Sequence, residues 1–169
     1  MTLTQIISPL VSCQALKHLL RAPPRQITVL EADIGKQCYS DFQAGHLPQA
    51  RYFDQLECTT PTAFIPRGLP DMNCFEGYLT RLGISNTHHI VLYDRSPTGF
   101  FASGRAWCLL KTYGVDNLSI LDGGFHGWVR ENHKIESTES NDAQEEGAFT
   151  EWQQRAPTDM IIKGDGKSV

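Results

Sequence analysis

HIVLYDRSPTGFFASGRAWCLLKTYG, residues 89–114, is the stretch on which the fold turns. Its first five residues are apolar and partly β-branched, long enough for a buried strand and too short for a helix. A turn containing Pro97 and Gly99 follows, and then a helical run that Gly114 stops. A strand that passes through a short loop into a helix is the repeating unit of parallel α/β proteins, and the loop lies where such proteins place their chemistry. Here the loop opens with Asp94, a weak nucleophile, and holds no cysteine, serine or histidine suited to attack.

Outward from this unit the periodicity alternates between two types. VSCQALKHLLR sets Val11, Ala15, Leu16, Leu19 and Leu20 on one face, with Ser8 and Pro9 at the expected helix start. ITVLEAD reads as a strand, YSDFQAGH as a short helix stopped near Gly45, and ARYFD as extended chain. CFEGYLTRLG is a helix ending at Gly83, LSILDGG a strand and FHGWVREN a last helix. Strands separated by helices predict an α/β sandwich, because a parallel neighbour needs a crossover connection. Beyond residue 136 the chain turns polar and acidic, as in STESNDAQEEG, which marks a surface loop or linker.

The 169 residues suit one domain. With 15 Lys+Arg against 19 Asp+Glu, the net charge of −4 offers no footprint for nucleic acid or an anionic membrane. No apolar stretch approaches the roughly 20 residues that span a bilayer. The first 20 residues lack a basic start, a continuous apolar run and any Arg, so they read poorly as a secretory or transit signal. The five cysteines are scattered, without C-x-x-C or paired-His spacing, and predict reduced thiols in a cytosolic compartment and no metal. Cys13, Cys74 and Cys108 fall in helical segments as small core residues, and Cys58 in LECTTP is the best candidate for an exposed thiol.

FQAGHLPQARYFD, LTRLGISNTHHIVLYD and ILDGGFHGW, in this order and spacing, resemble the rhodanese-like sulfurtransferases, and within them the two-domain thiosulfate and 3-mercaptopyruvate enzymes. Gln49 stands where that family usually has Gly. The resemblance, running from about residue 8 to 155, implies a three-layer α/β/α sandwich around a five-stranded parallel sheet. It implies a rhodanese-like domain over residues 8–136, with residues 137–169 a linker and the truncated start of a missing second domain. In that family only the second domain carries the cysteine that becomes a persulfide, and this chain resembles the first. No cofactor is expected. The compartment implied is the cytoplasm, with the mitochondrion as alternative.

Sulfur transfer needs a thiolate at the head of a loop whose backbone N–H groups converge on it at a helix N-terminus. The resemblance sets Asp94 at the cysteine's position, so residues Asp94, Arg95, Ser96, Pro97, Thr98 and Gly99 form a degenerate active-site loop, its cradle kept and its nucleophile absent. Pro97 removes one donor. Asp94 is expected to cap the helix or brace the loop, and no residue is assigned as catalytic. Arg95 and Arg105 are expected to pair with a carboxylate such as Asp94 or Asp33 rather than to bind an anion. The resemblance makes Asp54 and Arg105 possible cleft residues, although Arg67 and Gly68 stand where the family's auxiliary His is expected. His46 reads as a turn residue bonded to backbone, the pair His88 and His89 lacks a third ligand, and Asp122, Gly123 and Gly124 read as a turn needing positive φ. The expectation is a sulfurtransferase homologue inactive alone, paired with a catalytic rhodanese domain or another protein. The alternative is a non-catalytic binding module. A phosphatase-like relative needs a Cys-x5-Arg loop, which is absent at residue 94.

Overall fold

The computed structural model describes residues 7–21, 27–85 and 87–138. From residue 139 onward the expected linker and second-domain start lie outside the described residues. In chain order the elements are β1 Leu10–Val11, α1 Cys13–Leu19, β2 Ile27–Asp33, α2 Tyr39–Ala44, β3 Ala50–Asp54, α3 Met72–Arg81, β4 His89–Tyr93, α4 Phe101–Thr112, β5 Leu118–Leu121 and α5 Gly124–Arg130. The strands form one five-stranded sheet in the order β1-β5-β4-β2-β3, every pairing parallel. This is the five-stranded parallel sheet between helices that the resemblance implies.

The first helix begins later than expected. Ser12, not Ser8, caps it, its Oγ accepting from Ala15 N at 3.2 Å. Val11 belongs instead to β1, whose two residues lie beside β5 and are held by Ile120 N to Pro9 O and Asp122 N to Val11 O, both 2.8 Å. A two-residue strand carries no alternation to read, so it merged with the helical pattern after it.

Strand alternation sorts the core into two layers. Ile90 and Leu92 of β4 face the side built by α3 and α4, whereas Val91 and Tyr93 face that of α1, α2 and α5. On β2, Leu30 and Ala32 take the first side and Val29 the second. Glu31, two residues from Val29, therefore points with it toward α2 and α5. Trp128 of α5 and Leu16 of α1 fill that second layer.

The cysteine readings are corrected at three positions, Cys58, Cys74 and Cys108: the thiols are not all reduced, and Cys74 is an exposed half-cystine, not a core residue. Cys58, in the turn after β3, and Cys74, in the first turn of α3, form a disulfide with Cα atoms 5.6 Å apart. Cys58 is therefore a buried half-cystine rather than an exposed thiol. Two half-cystines 16 residues apart leave no local signature, because the chain between them returns on itself only in three dimensions. Cys108 is exposed, not core, since Ala102, Ala106, Leu109 and Leu110 occupy the inner stripe of α4 and Cys108 falls off it. Replacing both bridged cysteines by Ser is expected to lower stability by about 3 kcal/mol, the value for a loop of this length. Thermal melts should show the loss, and reduction of the parent protein should reproduce it.

Candidate functional site at the β4 to α4 loop

Asp94 ends β4 and is 2% exposed. Its Oδ1 accepts from Ser96 N at 2.9 Å and from Ser96 Oγ at 2.6 Å, and its Oδ2 accepts from Ser103 N at 2.8 Å. Ser96 Oγ in turn accepts from Phe100 N and Phe101 N, both at 3.3 Å. Helix α4 starts with orphan N–H groups, as every helix does, and here two side chains of the preceding loop satisfy them while Phe100, at the cap position, supplies nothing. Asp94 thus caps and braces, as expected. The expected cradle is modified: the N–H groups of Ser96, Phe100, Phe101 and Ser103 are spent on the side chains of Asp94 and Ser96. Gly99 N also stays within the loop, donating to Ser96 O at 2.9 Å. Pro97 and Thr98 are exposed at the tip.

The Asp122, Gly123, Gly124 turn is the floor of this loop. Gly123 and Gly124 have φ of +78° and +53°, the positive values expected. Phe125 N donates to Asp94 O at 3.0 Å. A Cβ on Gly124 would stand 2.6 Å from Asp94 O, and one on Gly99 would stand 2.6 Å from the Gly123 carbonyl carbon.

Arg95 pairs with neither Asp94 nor Asp33. Its Nε donates to Glu31 Oε1 at 2.5 Å and its Nη2 to Glu31 Oε2 at 3.2 Å and to Gly45 O. The guanidinium carbon lies 3.8 Å from the Phe125 ring centre, a cation–π contact. Asp33 is already engaged by Ile34 N, Cys38 N and the Tyr52 hydroxyl. Asp94 is engaged as above, so strand alternation leaves Glu31 as the acid that Arg95 can reach. Tyr93 OH also donates to Glu31 Oε2, at 2.5 Å. Burial pushes the Glu31 carboxyl above its ordinary range, against the lowering effect of Arg95 and Tyr93. Glu31 was missed from sequence, though an acid flanked by apolar residues in the middle of ITVLEAD, a strand buried along most of its length, was its signal.

Asp54 and Arg105, the possible cleft residues, are structurally occupied. Asp54 Oδ1 accepts from Gly35 N at 2.9 Å and Leu56 N at 2.8 Å, which fixes the turn after β3. Among the described residues Arg105 bonds no carboxylate, contrary to expectation: Nη1 donates to Gln55 Oε1 at 2.9 Å and Nη2 to Arg67 O at 3.3 Å. Gln55 Nε2 reaches Ala102 O at 2.8 Å, so this amide takes the partner role that the sequence assigned to an acid. Burial and then Arg67 lower the Arg105 pKa. Through Arg105 the segment after β3 is tied to α4, and Phe64, Ile65 and Leu69 of that segment are exposed, as are Phe100 and Phe101.

His46, His88 and His89 make structural contacts. His46 Nδ1 bonds Phe42 O at 2.9 Å and its ring stacks on Phe42, as a turn residue should. His88 Nδ1 meets Thr28 Oγ1, and His89 Nε2 meets Ser119 Oγ, each at 2.8 Å. Among the described residues no group of His, Cys, Asp and Glu is arranged to hold a metal ion.

A family model, the rhodanese-like domain, matches residues 15–131. The chain is 32% identical over 148 residues to 3-mercaptopyruvate sulfurtransferase of Mus musculus, covering 83% of this chain and 50% of that one. It is 36% identical over 105 residues to thiosulfate sulfurtransferase of Rattus norvegicus, covering 62% and 35%. Among solved structures, the Escherichia coli 3-mercaptopyruvate sulfotransferase SseA superposes with a TM-score of 0.72 at 26% identity, over 88% of this chain and 56% of that one. The chain spans about half the length of the curated 3-mercaptopyruvate relatives it matches.

Proposed function

As a member of the rhodanese-like family, this chain is a sulfurtransferase homologue, and we propose that it transfers no sulfur at its own β4 to α4 loop. One observation supports the reading: a carboxylate with three internal hydrogen bonds occupies the head of that loop. Persulfide chemistry requires a thiolate that attacks a sulfane sulfur and then holds it, and a carboxylate does neither. The domain acts as the structural partner of a catalytic rhodanese domain, with thiosulfate or 3-mercaptopyruvate as the donor of the assembled enzyme. It works without a cofactor, nucleic acid or membrane, in the cytoplasm, with the mitochondrion as the alternative. No helix among the described residues is long and apolar enough to cross a membrane. The exposed Phe64, Ile65 and Leu69, close together in one segment after β3, favour a second reading as a protein-binding module, because exposed apolar side chains mark an interaction surface.

Incubation with thiosulfate or 3-mercaptopyruvate, with cyanide as acceptor, should give no thiocyanate and no mass gain of a sulfur atom. Turnover that persists when the free thiols Cys13, Cys38 and Cys108 are replaced by Ser would overturn the proposal. The reverse experiment is Asp94→Cys. The N–H groups of Ser96 and Ser103 then face a thiolate, and thiosulfate should load one sulfur atom onto the new side chain.

A further inference from the structure

The Cys58–Cys74 disulfide joins two unequal environments. Cys58 is 8% exposed and packs in the core layer beside α3 and α4, whereas Cys74, in the first turn of α3, is exposed. Thiol–disulfide exchange begins with thiolate attack on one of the two sulfurs, and access bears on which one is attacked. Here Cys74 is the exposed member. Each end of the bridge is also anchored without it: β3, just before Cys58, pairs along its length with β2, and α3 buries Phe75, Tyr78 and Leu79. Opening the bond therefore leaves sheet and helix in place. What the bond holds is the chain between its ends. Residues 60–67 are exposed throughout, Phe64 at 96%, and within 59–71 Pro70 alone is buried. A segment that buries so little opens at low cost once its constraint is gone. Its other ties are single hydrogen bonds: Arg105 Nη2 to Arg67 O at 3.3 Å, the Tyr113 hydroxyl to Pro70 O, and Asp71 N to Cys58 O at 2.9 Å.

We propose that this disulfide is a reversible exchange site for dithiols, and that opening it releases residues 59–71. A thiolate of the dithiol attacks Cys74 Sγ, the S–S bond breaks, and Cys58 leaves as a thiolate that takes up a proton. The second thiolate of the dithiol then attacks the mixed disulfide and expels Cys74, closing a cyclic disulfide. Two electrons and two protons pass from dithiol to protein, and exchange with a small oxidised disulfide reverses the transfer. The departing Cys74 thiolate lies in the first turn of the 10-residue α3, whose N-terminus favours negative charge. The released segment carries the exposed Phe64, Ile65 and Leu69, so redox state sets how this apolar surface is presented. The inference holds whether or not the β4 to α4 loop transfers sulfur.

Limited trypsin digestion of the native full chain, with fragments read on reducing gels, tests the release. Cleavage tracks the population of the opened form, so dithiothreitol should speed the cut after the exposed Arg67 by about tenfold or more. In the reduced chain this cut should precede the one after Arg130 in α5. The Cys58→Ser, Cys74→Ser variant should be cut at the fast rate without reductant, and reoxidation of the parent with oxidised glutathione should restore the slow one. Brief treatment with reduced glutathione, quenched with iodoacetamide, should leave glutathione on the Cys74 peptide. An Arg67 rate indifferent to dithiothreitol, a cut after Arg130 as early as that after Arg67, or glutathione carried by Cys58 instead would overturn the proposal.

Discussion

Replacing Glu31 by Ala is expected to lower folding stability by about 3–5 kcal/mol, the cost of stripping one partner from a buried ion pair. The Glu31 side chain is 2% exposed and that of Arg95 18%. Without Glu31 the guanidinium keeps only Gly45 O and the Phe125 ring, and the Tyr93 hydroxyl loses its acceptor. Denaturant unfolding followed by tryptophan fluorescence measures the difference. Its pH dependence has a definite sign. Burial raises the Glu31 pKa in the native chain, so on acidification the folded state takes up this proton before the unfolded state does. The residue's own contribution therefore rises as pH falls through that raised value and levels off below the unfolded one. The gap between parent and Glu31→Ala should widen over the same window. A gap that narrows there would show that pairing with Arg95, rather than desolvation, dominates the carboxyl.

Gly124→Ala is expected to cost about 2–5 kcal/mol, combining a left-handed backbone of roughly 1–2 kcal/mol with overpacking of roughly 1–3 kcal/mol. Its Cβ would meet Asp94 O at 2.6 Å and Gly99 Cα at 2.8 Å, both backbone atoms that no side-chain rotation can clear. Gly114 supplies the control, because its φ is +85° yet nothing lies within 4 Å of an added Cβ. Gly114→Ala should show the backbone cost alone. Gly77, inside α3 and also in open space, should gain about 0.5–1 kcal/mol on replacement by Ala. That order of melting temperatures checks whether loop and turn truly rest on each other.

What could be read from the sequence follows the range of the forces involved. β2, β3 and β4 were legible because their apolar runs and flanking turns are local. The position of Asp94 was legible because motifs on both sides fix it. The partner of Arg95 was not, since choosing Glu31 over Asp33 depends on which face of β2 lies beneath the loop and on which acids are already engaged. The Gln55 bridge to Arg105 was hidden for the same reason: an amide 50 residues away leaves no trace in spacing. Gln49 lies between these cases. It occupies the family's glycine position and adopts φ +60°, with its N–H held by Glu136, so the backbone shape persists where the usual residue does not.

Self-capping of α4 by Asp94 and Ser96 has a thermodynamic corollary. A loop and helix start with the N–H groups of Ser96, Phe100, Phe101 and Ser103 already held by its own side chains has little to gain from an oxyanion, and ligands stabilise a protein only by binding its native form more tightly than its unfolded form. Titrating sulfate or thiosulfate should therefore leave the melting temperature flat at constant ionic strength: the fold has internalised its counter-anion as a covalent part of the chain.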